Sequence, residues 1–95
     1  MVVGILMITL YIGGMTSLKD KRSVIRSILA KIKAKYNVSA AETGRQDEWN
    51  NCEMGFSCVS NETSHADSML SSVVDFIEAD PRVEITNIYT ETIHV

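Results

Sequence analysis

The chain has 95 residues, 45% of them hydrophobic and 22% charged, with a formal net charge of −3. That is enough for one domain, residues 1–95, with a single core that needs neither disulfide nor metal, and the composition suits a soluble globular protein. The most apolar run, residues 2–12, falls short of the ~20 residues a bilayer span needs and has no basic leader or cleavage site, so a cytoplasmic location is expected.

Residues 2–12 combine Val, Ile and Tyr as a mostly buried strand does. The even positions Leu6, Ile8, Leu10 and Ile12 are aliphatic and are assigned to the core; Met7, Thr9 and Tyr11 go to the other face. Gly13-Gly14 breaks the strand. Ser17, with Asp20 three residues on, makes a capping-box-like helix start. Leu18, Ile25, Ile28, Leu29 and Ile32 recur at helical spacing, and Tyr36-Asn37 closes the helix, with Asn37 suited to a left-handed cap.

A short second strand is predicted over 38–43 and a polar turn over 44–50. Residues 51–60 alternate: Cys52, Met54, Phe56 and Cys58 face one way, Glu53, Gly55, Ser57 and Val59 the other. Ser64 and Asp67 repeat the capping spacing ahead of a second amphipathic helix carrying Ala66, Met69, Leu70, Val73, Val74 and Ile77. That helix ends at Asp80-Pro81. Residues 83–95 are β-branched-rich and read as the last strand. Cys52 and Cys58 lie on one predicted strand, ~20 Å apart at ~3.3 Å per residue, too far for a disulfide. They are read as small core residues.

The order βαββαβ is the α+β ferredoxin-like arrangement. Each helix has one apolar stripe, so both are expected on one face of a four-stranded antiparallel sheet, leaving the other face open to a partner.

The chain resembles the YlxP-like family of short, functionally uncharacterised bacterial proteins, and the resemblance spans nearly its whole length. It is carried by Ser17-Leu18-Lys19-Asp20-Lys21-Arg22, Asn37-Val38-Ser39 with Ala41-Glu42, Asp47 with Trp49, and Val59-Ser60-Asn61. It implies a ferredoxin-like fold. It also suggests a link to RNA or ribosome metabolism, because genes of the family often neighbour those for transcription elongation, translation initiation and ribosome maturation factors. The family often has a proline after the first strand, where this chain has Gly13-Gly14.

Charge is the main functional signal. Residues 1–45 hold eight basic groups against two acids; residues 46–95 hold only Arg82 against ten acids. Such polarity can steer an anionic partner or orient copies of the chain. On a helical wheel Lys19, Arg22, Arg26 and Lys33 flank one side of the first helix and Lys31 and Lys35 the other. Between them runs a crest of Ser23, Ser27, Ala30 and Ala34. Small residues bordered by cations admit a phosphate backbone, or a second helix; the same cations also serve simply to cover the core edge with their stems. The helix start from Ser17 to Arg22 offers N–H groups to an anion, although Asp20 already occupies that end.

Other chemistries fit less well. An acylphosphatase shares the fold, but its glycine-rich loop with arginine is not matched by Gly13-Gly14-Met15-Thr16. A ligand-sensing ACT-like module has the same element order and stays open as an alternative, without a clear effector-binding glycine motif. An RNA-recognition motif stacks bases on sheet aromatics, and of the positions assigned to the open face only Tyr11 qualifies. Trp49 is read as a cap over the core end, or else as an exposed contact. Glu42 and Asp47 have no nucleophile or histidine beside them. His65 and His94 stand apart, so neither metal nor other cofactor is expected.

The expectation is a non-catalytic accessory protein that contacts RNA or ribosome phosphates through Lys19, Lys21, Arg22, Arg26 and Lys33. The alternative is a homo-oligomeric or protein-interaction module, in which the basic helix meets an acidic surface such as the second helix of another copy with Asp75 and Glu78, or Met7, Thr9, Tyr11 and Trp49 form the interface.

Overall fold

A computed structural model describes residues 1–95. The elements run β1 (Val2–Tyr11), α1 (Leu18–Lys35), β2 (Ser39–Gly44), β3 (Asn51–Ser60), α2 (Thr63–Glu78) and β4 (Glu84–His94), giving the βαββαβ order. The strands form one antiparallel sheet in the order β2-β3-β1-β4. β1 lies inside it, with Leu6 opposite Phe56 on β3 and Thr90 on β4. A strand with two neighbours and one face under helices must be apolar, which accounts for the hydrophobic run at 2–12.

The core forms where the stripes of the two helices meet that sheet face. Leu6, Ile8, Leu10 and Ile12 are fully buried, as are Ile28, Ile32, Cys52, Met54, Val73 and Ile77. Each aliphatic chain so buried contributes roughly 1.5–3 kcal/mol relative to exposure. Both cysteines are free and buried. Gly4, on the core face of β1, lets α2 approach: a Cβ there would lie 2.9 Å from Leu70 Cδ1 and 3.2 Å from Cys58 Sγ.

Ser17 caps α1, accepting from the Asp20 N–H at 3.1 Å. Two helix-end predictions are corrected. The backbone at Asn37 is not left-handed; Tyr36 takes the C-cap position in an extended conformation, and its N–H donates to Ile32 O at 2.8 Å. Ser64 lies within α2, whose N-cap is Glu62 with no side-chain bond. Ser60 Oγ instead accepts from the Glu62 N–H at 3.1 Å and pairs with His65 Nδ1 at 3.0 Å, so the side chain that serves this end comes from the preceding strand.

Candidate nucleic-acid interface

The predicted flanks of α1 have different surroundings. Lys31 lies with Phe76, Asp80 and Arg82 at the junction with α2. Lys35 Nζ sits 5.5 Å from the ring centroids of both Tyr36 and Phe76, which pack edge to face at 6.1 Å. That flank therefore faces the second helix. Lys19, Arg22, Arg26 and Lys33 lie on the flank turned away from it; all four are exposed and none is in an ion pair. The crest between the flanks is open at Ser23, Ala30 and Ala34 and half-buried at Ser27.

Lys21 does not belong to this surface. Its side chain is 1% exposed, making it the buried charge of the core, and its predicted phosphate contact is withdrawn. The ammonium donates to Arg45 O at 2.6 Å and stands 3.4 Å from Glu42 Oε2. The wheel explains the burial: Lys21, Ile25, Ile28 and Ile32 form the buried seam of α1, so a cation occupies an apolar position. That spacing was visible in the sequence. The partners that satisfy the charge come from β2 and the turn after it, and were not.

Lys21 thus fastens α1 to the β2–β3 turn. Arg45 in that turn has φ 60°, a left-handed conformation that non-glycine residues adopt at some cost. Its carbonyl accepts from both Lys21 Nζ and, at 3.1 Å, the Glu48 N–H, so the strained residue is held from two sides. Glu42 Oε2 is buried and opposes Lys21 by charge without hydrogen-bond geometry. Beneath it Cys52 is pushed up to about 12 by burial, with the Glu42 carboxylate adding to the effect. At neutral pH that thiol is protonated and is a poor nucleophile. The cluster is a structural anchor and holds no activated group.

Trp49 is half exposed and lies outside the core cluster, so its preferred reading as a cap is corrected in favour of an exposed position on the 45–50 turn. Met7 and Tyr11 are exposed on the helix-free sheet face with Thr9 half-buried between them. Tyr89 on β4, opposite Met7, adds a second exposed ring to that face; the sequence alone does not assign it there, because the faces of β4 depend on its pairing with β1. Arg82, the one cation of the second half, is occupied by Asp80: Nη2–Oδ2 is 2.7 Å, and this bonding holds the Asp80 carboxyl below its ordinary range. No three His, Cys, Asp or Glu side chains gather in a metal-holding group.

Comparison with known proteins agrees with this architecture. A de novo designed protein with a ferredoxin fold, solved in solution, superposes with a TM-score of 0.54 over 96% of this chain and 88% of its own, at 18% identity. A looser likeness, TM-score 0.46 and 8% identity, is to a REP-associated tyrosine transposase bound to a REP hairpin; it covers 98% of this chain and 56% of that one and carries no argument. The uncharacterized protein YlxP of Bacillus subtilis is 39% identical over 75 residues, which is 79% of this chain and 82% of that protein. The family model described as a protein of unknown function, DUF503, matches residues 3–90. With the family model matching nearly end to end and a close bacterial relative, the chain belongs to the YlxP-like DUF503 family.

Proposed function

We propose that this protein is a non-catalytic, cytoplasmic accessory factor that binds structured RNA, free or within the ribosome, through the outer flank of α1. One observation carries the reading: Lys19, Arg22, Arg26 and Lys33 project from one helix side beside a crest of small residues, and no carboxylate of the chain neutralises them. A phosphate backbone is matched by spaced point charges around a surface it can approach closely. Contacts of this kind position a protein without reading bases, so sequence preference is weak. No helix is long and apolar enough to cross a membrane.

The test is binding to a structured RNA over a salt series. Affinity should fall steeply with salt, and Arg22→Ala with Arg26→Ala should flatten the log–log slope by about 0.7–0.9 per lost contact. A double variant with the parent's affinity and slope rules this surface out.

A further inference from the structure

We infer that β4 pairs with β4 of a second copy, joining two sheets into one antiparallel sheet of eight strands about a two-fold axis at Tyr89. Sheet order leaves two edges, and they are built differently. β2 is six residues long with a register shift near its end. β4 has eleven residues and contains no Lys, Arg or Pro; Glu84 and Glu91 are the only carboxylates on it to blunt the edge. Its irregularity falls at Thr86, near one end, so residues 87–94 run straight along β1. Ile88, Tyr89 and Ile93 are 43%, 49% and 39% exposed. A strand of this length with unpaired backbone groups and apolar side chains on both faces is a template for another strand.

The occupant follows from β4's own sequence. In an antiparallel pair, residues directly opposite share a face, so only registers joining positions of equal parity are allowed. On β4, Ile88, Thr90 and Thr92 lie on the helix side, opposite Ile8, Leu6 and Gly4; Asn87, Tyr89, Glu91 and Ile93 lie on the open side. Centring the pair on Glu91 puts that carboxylate against its own copy. Centring it on Ile88 brings Glu84 towards Glu91. Like charges directly opposite destabilise a ladder, and centres nearer either end of β4 pair fewer residues, which leaves the registers centred on Tyr89 and Thr90. The Tyr89 register stacks ring against ring, sets Asn87 amides against Glu91 carboxylates, and lays Ile88 against Thr90. Aromatic cross-strand pairs favour it.

The two-fold axis also keeps both helix layers on one side. There a groove of about 490 Å³ between α2 and β4, lined by Leu6, Leu70, Val74 and Ile88, would be continued by its copy. Asp67 lines this groove on the helix side and Glu91 carries its carboxylate on the open side of the same seam, so pairing gathers negative charge and salt screens the repulsion. The dimer is therefore expected to hold or tighten with added salt. A dimer formed by basic α1 against the acidic α2 of another copy would loosen instead. Since α1 packs beside β2, at the opposite side of the sheet, β4 pairing leaves its outer flank uncovered.

Sedimentation of the full chain over a wide concentration range should show the mass doubling, with the dimer retained at high salt. Thr90→Lys, at an exposed edge position, should lose the dimer while keeping the parent's circular dichroism. Under mild oxidation Tyr89→Cys should form a covalent dimer, because opposite residues lie ~5 Å apart between Cα atoms. The parent, whose two cysteines are buried, should not. A chain that stays monomeric and gives no Tyr89→Cys cross-link overturns the inference, as does a dimer that Thr90→Lys leaves intact.

Discussion

Lys21 shows how one position decides between surface and anchor. Its ammonium has two partners, Arg45 O and the Glu42 carboxylate, and Glu42 is itself mostly enclosed. Removing one member of a buried pair strands the other, so Lys21→Met should cost ~3 kcal/mol in urea unfolding. Adding Glu42→Gln should return part of that loss, giving a coupling energy well above the ~0.5 kcal/mol of independent sites. The burial was readable from the seam at 21, 25, 28 and 32, but a lysine among neighbouring lysines reads as surface until its partners are seen. Beside it, Cys52 makes a second prediction. Its thiol, ordinarily near 9, is raised to about 12, chiefly by burial. Below pH 9 both folded and unfolded states keep the proton. Between the two values only the unfolded state releases it, so stability falls as pH rises, by up to ~1.4 kcal/mol per unit from this group. The difference in unfolding free energy between parent and Cys52→Ala should therefore shrink steadily above pH 9. A constant difference would place Cys52 in a far wetter setting than its complete burial implies.

At the scale of elements, helix periodicity and strand alternation were legible nearly to the residue, because each is a local consequence of one buried face. β3 has the predicted bounds, β1 ends one residue short of its predicted end, and β2 is shifted by one residue at both ends. Helix ends were less legible where a remote group supplies the cap. α2 begins two residues earlier than the Ser64 spacing implies, and its own N-cap residue, Glu62, makes no side-chain bond. Glu62→Ser places a hydroxyl at an N-cap already in the extended conformation. It should raise stability by about 0.5–1 kcal/mol, seen as a higher urea midpoint with unchanged slope. The packing of α2 on the sheet depends on a missing side chain. Gly4→Ala would drive a methyl into Leu70, and although that leucine has some freedom to shift, Cys58 Sγ at 3.2 Å and Ala66 Cβ at 3.4 Å close the remaining space. A net loss on the order of 1 kcal/mol follows, after the entropy that alanine saves in the unfolded chain. A thermal midpoint equal to the parent's would mean that the α2–β1 spacing relaxes freely.

Across the whole molecule the question is whether a protein of net charge −3 can attract a polyanion. Counting charge along the chain predicted the polarity but not its arrangement, because α1 and α2 share one sheet face and the acids of the second half come close to some cations of the first. The fold sorts the cations by flank: Lys31 and Lys35 look across to α2, with Asp80 near Lys31, while Lys19, Arg22, Arg26 and Lys33 look away. The molecule measures 43 × 21 × 17 Å, and charges further apart than ~10 Å are largely screened at 0.1 M salt. A bound phosphate on the outer flank would therefore feel its four cations far more than the acids at the remote end. This separates a defined surface from diffuse attraction. Lys31→Ala with Lys35→Ala removes the same net charge as Arg22→Ala with Arg26→Ala. If RNA lies along the outer flank, the arginine pair flattens the salt slope and lowers affinity, while the lysine pair leaves the slope near the parent's. Equal effects from the two pairs would mean that binding follows net charge alone, and that the crest of Ser23, Ala30 and Ala34 has no part in it.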